Sequence, residues 1–237
     1  MIAKTPSPPR VAIIRDYNWE GDWSRETLDT LSKLVLQSQP DAVIEHFQPI
    51  DGGNVPDAPS FDLVILTGGT ADLTLPQPEP WVANLLDWIR DTVANSPTTK
   101  LLGICWGHQA ISRALGGTID VKEIPLTERG QQFFKGYQSL QLYKFHRREV
   151  QTPPPGVHYL AENFEISMSD SGQVMTFQGH PEMTPSIAQG LVDHRDPAYL
   201  PDPTPEGLAL LHKALQKAED GKKIFPRIMA WAFEGQV

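Results

Sequence analysis

Cysteine is almost missing from this chain: Cys105 is the one thiol among 237 residues. No internal disulfide can form, and no second cysteine exists to build a thiolate zinc cage, so nothing requires an oxidising compartment. Positive charge is also scarce. Lys and Arg number 20 against 29 Asp and Glu, a formal net charge of −9, which argues against nucleic acid or an anionic membrane as the main partner and favours a small molecule. Long hydrophobic runs are absent too. No stretch approaches the roughly 20 apolar residues of a membrane span, and the opening MIAKTPSPPR has no apolar segment of signal-peptide length. The expectation is a soluble cytoplasmic protein.

What is present is a hydrophobic fraction of 40%, enough for a sizeable core. VAIIRD (11–16), DAVIEHF (41–47), FDLVILTGG (61–69) and KLLGIC (100–105) are short apolar runs that read as strands, FDLVILTGG as one buried on both faces. Between them, DWSRETLDTLSKLVLQ (22–37) places Leu28, Leu31, Leu34 and Leu36 at near-helical spacing, with Asp22 or Ser24 as its cap. WVANLLDWIRDTVA (81–94) is a second helix by period. Strands alternating with helices imply parallel pairing through crossovers.

After the helix expected beyond Cys105 the pattern changes. GGTIDVKEI (116–124), SLQLYKFHRREV (139–150), GVHYLAEN (156–163), FEISMSD (164–170) and GQVMTFQGHPE (172–182) read as strands with short turns, hence an antiparallel or mixed extension. TPSIAQGLVDH (184–194), PEGLALLHKALQKAE (205–219) and FPRIMAWAF (225–233) return to helix, and the Pro-rich DPAYLPDPTP (196–205) reads as a surface loop. The predicted fold is α/β: a flavodoxin-like, doubly wound, mostly parallel sheet. One domain covers 1–237, with a leader at 1–10, a core at 11–195 and a C-terminal helical segment at 205–233.

Chemistry concentrates in GICWGHQ (103–109). A nucleophile on a sharp strand-to-helix turn has a cramped backbone, so the positions two before and two after it must be small, and here they are Gly103 and Gly107. A thiol at a helix N-terminus also has its thiolate favoured by the dipole. The competing reading is a small buried hydrophobe. A base is needed as well. His108 is three residues away, but its side chain would project from the helix away from the strand tip. His180 closes VMTFQGHPE, where it can end at the same sheet edge as Cys105. Glu182, two residues on, would share its side of an extended segment stiffened by Pro181 and could accept the imidazole N–H. Backbone donors for an oxyanion are available at Trp106 and at the paired glycines of LTGGT (66–70), although a glycine pair alone can simply make a turn.

LTGG (66–69), GICWGHQ (103–109) and GHPE (179–182) together resemble the class I glutamine amidotransferases, the Cys-His-Glu triad family, over roughly residues 11–195. The resemblance implies that Cys105 attacks the γ-carboxamide of glutamine, giving a glutamyl thioester and ammonia, with His180 shuttling the proton and Glu182 orienting it. It further implies an oxyanion hole from Gly69 and Trp106 and substrate contacts from Gly68, Gln109 and His146, with neither metal nor cofactor. FHRREV (145–150) is similar to the His-x-Asp-x-Val region of GMP synthetase amidotransferase domains, but Arg148 stands where the aspartate belongs. Recognition of the substrate's charged groups would then differ, unless the two arginines are simply exposed.

The chain ends without a synthetase domain, so ammonia would go to a separate synthase subunit. Alternatively the protein is a γ-glutamyl peptidase acting on glutathione-like compounds, as the related plant enzymes are, or a non-catalytic binding or regulatory subunit. Hydrolysis of glutamine is the reading the resemblance favours.

Overall fold

The computed structural model describes residues 7–18, 21–117, 139–146, 148–194, 204–216 and 219–234. Its first half is the alternation that the apolar runs demand: β1 (Arg10–Asp16), α1 (Asp22–Ser38), β2 (Val43–Phe47), β3 (Leu63–Gly69), α2 (Pro80–Asn95), β4 (Lys100–Ile104) and α3 (Trp106–Ala114). Three further strands, β5 (Val157–Tyr159), β6 (Ile166–Ser169) and β7 (Val174–Phe177), precede helices α4 (Pro185–His194), α5 (Pro205–Leu215) and α6 (Gly221–Phe233).

The strands form one sheet in the order β2-β1-β3-β4-β7-β6-β5. Pairing is parallel from β2 through β7 and antiparallel across β7, β6 and β5. This is the flavodoxin-like α/β fold with its mixed extension, and sites in such sheets lie beyond the carboxyl ends of the strands. The two-residue period of a strand explains the continuous apolar runs. Val11, Ile13, Leu63 and Ile65 face one core with Leu31, Leu34 and Val35 of α1 and Ile228 of α6. Ala12, Ile14, Val64 and Leu66 face the other with Leu85 and Ile89 of α2 and Ile111 of α3. Each of these Val, Leu and Ile side chains contributes about 1.5–3 kcal/mol on burial.

Several expectations are corrected. Neither Asp22 nor Ser24 caps α1. Gly21 takes the N-cap position with φ 127°, and Asp22 sits in the first turn, where its charge suits the dipole. Leu36 is 39% exposed, and Val35 takes its place in the inward stripe. Helix α6 starts four residues before Phe225, so Pro226 lies inside it at the cost of one helical hydrogen bond. Among the described residues of 139–150 there is no strand, only isolated bridge residues, one of which pairs Tyr143 with His180. The carbonyls of Phe145 and Arg148 meet side chains of the site instead of a neighbouring strand. Most of GGTIDVKEI (118–124) and of the Pro-rich loop (196–203), part of the leader (1–6) and Arg147 lie outside the described residues.

Candidate active site

The site is built around the end of β4. Cys105 follows Ile104 with φ 52° and ψ −103° and is the N-cap residue of α3, a conformation that costs an L-residue about 1–3 kcal/mol. The fold holds it there from both sides. Its N–H donates to the Phe177 carbonyl of β7 at 2.7 Å, and its own carbonyl accepts the first helical bond from Gln109 at 3.1 Å. The flanking glycines are required by close approach: a Cβ on Gly103 would sit 2.7 Å from the Gly107 carbonyl oxygen, and one on Gly107 would collide with the backbone of Leu66. Cys105 is 4% exposed, with its Sγ 4.0 Å from the Phe145 carbonyl oxygen.

Parallel register brings the histidine to this point. Ile104 pairs with Phe177, so the chain leaving β7 passes beside Cys105, and the His180 N–H bonds to the Tyr143 carbonyl at 2.9 Å. The link to Glu182 differs from the extended arrangement expected. Met183 N–H donates to the His180 carbonyl at 3.4 Å, so residues 180–183 form a turn with Pro181 at its second position, where its fixed φ is suited. Across that turn His180 Nδ1–H donates to Glu182 Oε1 at 2.7 Å. Burial works against charge on the imidazole. The Glu182 carboxylate and the charge and hydrogen bond of Cys105 outweigh it, and the His180 pKa rises to about 10.

The opposite wall is the end of β3. A Cβ on Gly68 would lie 3.2 Å from His180 Cε1 and 3.8 Å from Cys105 Cβ, so the glycine backbone faces both side chains directly. Gly69 packs beside Trp106: a Cβ there would lie 3.1 Å from the indole Cγ. The Trp106 side chain stacks on Trp81 with centroids 5.4 Å apart and donates from Nε1 to the Ala71 carbonyl at 2.9 Å. Arg113 of α3 reaches the Leu73 and Leu75 carbonyls. The loop after β3 is therefore fastened to α3, which keeps the Gly68–Gly69 peptide and the elbow in fixed relation.

Gln109 and His146, expected at the substrate, are occupied in tying down the segment over the site. Gln109 is 3% exposed and donates from Nε2 to the Arg148 carbonyl at 2.5 Å and to Gln178 Oε1 at 3.2 Å. His146 Nδ1–H donates to the same carbonyl at 3.0 Å. Arg148 itself pairs with Asp72 at 2.9 Å, bridging this segment to the loop after β3. Asp72 is held below the ordinary carboxylate range: its partial burial opposes this, but bonds from Thr74 and the Arg148 guanidinium outweigh it. The two arginines are thus not both simply exposed.

His108 is buried. Desolvation, aided by His146, pushes its pKa down to about 3, and neither ring nitrogen has a hydrogen-bond partner. Sequence reasoning missed a buried ionic group nearby. His146, Glu149 and Glu165 bring ligand atoms within 4.8 Å of one another, the one such group of metal-binding type among the described residues. Lys144 already bonds Glu165, whose carboxyl is raised by burial to about 7 against the pull of that ammonium. The group therefore supplies its own cation. Gln178 was missed as well, although its place between Phe177 and the catalytic-looking GHPE was a signal.

The fold and this constellation define a class of protein that comparison with known chains makes specific. Residues 39–192 match the model of the family described as Glutamine amidotransferase class-I, and the chain belongs to that family. It is 37% identical to the glutamine amidotransferase-like protein chry6 of Gibberella zeae, over 94% of this chain and 95% of that one. It is 35% identical to the glutamine amidotransferase-like protein chyE of Penicillium rubens, over 91% and 92%. A more distant relative is gamma-glutamyl peptidase 4 of Arabidopsis thaliana, 28% identical over 63% of this chain and 65% of that one. Among solved structures, a glutamine amido transferase from Methylobacillus flagellatus superimposes with a TM-score of 0.68 at 17% identity, covering 97% and 96% of the two chains; that likeness concerns the fold alone.

Proposed function

We propose that this protein is a cysteine-dependent γ-glutamyl amide hydrolase that takes glutamine as substrate and passes through a thioester on Cys105. The observation that carries the reading is His180, bonded to Glu182 on one side and facing the strained Cys105 on the other. The Cys105 thiolate attacks the γ-carbonyl carbon, and the carbonyl oxygen takes up negative charge within reach of the Gly69 and Trp106 N–H groups. As the tetrahedral adduct collapses, protonated His180 gives its proton to the departing nitrogen, which leaves as ammonia. Water then attacks the thioester, His180 takes its proton, and glutamate departs with the thiolate restored. Glu182 keeps Nδ1 protonated and stabilises the imidazolium throughout. Released ammonia would serve a separate synthase.

A second reading, a γ-glutamyl peptidase, is favoured by one feature: the Arg148–Asp72 pair presents both signs of charge where an aspartate alone was expected. The two readings share the thioester and differ in the leaving amine. The test is a side-by-side assay of glutamine and a γ-glutamyl peptide, with and without a candidate synthase. A kcat/KM ratio for peptide over glutamine above about tenfold, roughly 1.4 kcal/mol of transition-state stabilisation, transfers the assignment to the peptidase. A ratio below one, with glutamine turnover rising when the synthase is added, supports the first reading. A glutamine-mimicking electrophile should add one label, and Cys105→Ala should abolish it.

A further inference from the structure

We propose that Thr67 is a positioning residue that orients the Gly68–Gly69 peptide so that the Gly69 N–H faces the carbon attacked by Cys105. The inference rests on the hydrolysis proposed above and concerns how its oxyanion site is held. Thr67 is 1% exposed at the end of β3. Its hydroxyl accepts a bond from the Asp16 N–H at 3.0 Å and donates to the Gly68 carbonyl at 3.2 Å. A hydroxyl has one proton to give. With the Asp16 N–H on its lone pair, that proton is committed to the Gly68 oxygen.

Peptide geometry then decides the direction of the donor. In a trans peptide the C=O and the following N–H point opposite ways, and no cis peptide occurs among the described residues. Thr67 and Asp16 hold the Gly68 carbonyl on the β1 side, so the Gly69 N–H is turned to the β4 side. There the β3–β4 ladder has already ended at Leu66 and Gly103, and the next residues of that chain are Ile104 and Cys105. The register shift between Ile14 and Asp16 belongs to the same device, because it sets Asp16 opposite Gly69. Gly68 lies against both His180 and Cys105, so the peptide borders the reacting centre.

Such a brace matters because the peptide joins two glycines. Glycine accepts either sign of φ at little cost, so a Gly-Gly peptide can rotate to present its carbonyl oxygen in place of the N–H. An oxygen there would repel the developing oxyanion. The Thr67 hydroxyl penalises that rotation by the bond it would break.

The experiment uses the full chain with Thr67→Val, Thr67→Ala and Thr67→Ser, assayed on whichever γ-glutamyl substrate the wild type hydrolyses. Val and Ala lack the hydroxyl, and each should lower kcat about tenfold or more, short of the roughly 10²–10³ lost with an entire oxyanion donor. KM should stay within about twofold of the wild type, and Thr67→Ser should recover most of kcat. Alkylation of Cys105 by iodoacetamide builds no oxyanion, so its rate should be unchanged in all three, which a general distortion of the elbow would not allow. Should Thr67→Val fail to fold, the smaller Ala variant carries the comparison. Undiminished kcat without the hydroxyl, or alkylation slowed as much as turnover, overturns the role of Thr67 while leaving the proposed function standing. A wild type that hydrolyses neither substrate overturns the proposed function, and this inference with it.

Discussion

The elbow after β4 and the turn after β7 each carry a buried histidine, and the two are held in opposite protonation states. His108, in the first turn of α3, is driven down to about 3 by desolvation and by His146, and its ring nitrogens have no partner. His180 is equally enclosed, and desolvation pushes it the same way. Yet the Glu182 carboxylate and Cys105 raise it to about 10. Burial is common to both. What separates them is a counter-charge at hydrogen-bond distance, which exceeds the desolvation cost in one place and is missing in the other. Nearness in sequence to Cys105, the proposed nucleophile, therefore says little about which imidazole can carry a proton for it. His108 is three positions from Cys105 and inert in this respect; His180 is 75 positions away.

The comparison breaks most visibly in turnover. His180→Ala should lower kcat/KM by roughly three orders of magnitude or more, because nucleophile, base and orienting acid act as a unit. His108→Leu should leave it within about threefold. Equal losses in steady-state assays would mean that His108 also serves the reaction.

Glu182→Gln sharpens the comparison by removing the counter-charge alone. The amide keeps the shape but cannot stabilise the imidazolium, so kcat should fall by about two orders of magnitude or more. The His180 pKa should move down from about 10, which brings the alkaline limb of the pH–rate profile to lower pH. A limb that stays in place would assign the raised pKa to another group.

The smallest effect is on stability. The folded pKa of His108, about 3, lies below its ordinary value of 6.5, so between those values the unfolded chain binds the proton more readily. Stability from this group is fully present above pH 6.5 and is lost as pH falls toward 3, up to a few kcal/mol by linkage. Denaturant titrations of His108→Leu should show a shallower loss of stability over that window than the wild type. Identical slopes would show that His108 is not neutral and buried in solution.

Much of this was legible in the chain. The runs at 11–16, 61–69 and 100–104 read as buried strands, and the elbow was readable because two glycines must flank a cysteine with φ 52°. The antiparallel side was less readable. Residues 139–150 have a strand's composition, but the carbonyls of Phe145 and Arg148 are taken by the side chains of Gln109, His146 and Cys105, and competition of that kind leaves no periodic trace. Likewise Pro181 suggested a stiff extended link between His180 and Glu182, whereas the turn depends on where β7 ends against β4.

The sequence by itself determined the alternation of strands and helices and the glycine-framed elbow at Cys105, and it singled out His180 and Glu182 as the proposed base and its partner, because these depend on local period, on space at single residues and on short spacings. Only the tertiary structure decided the protonation of the two histidines, the Arg148–Asp72 bridge and the direction of the Gly68–Gly69 peptide. Each of these depends on charges or donors delivered from segments far apart in the chain, and distance between such groups is set by packing across the sheet.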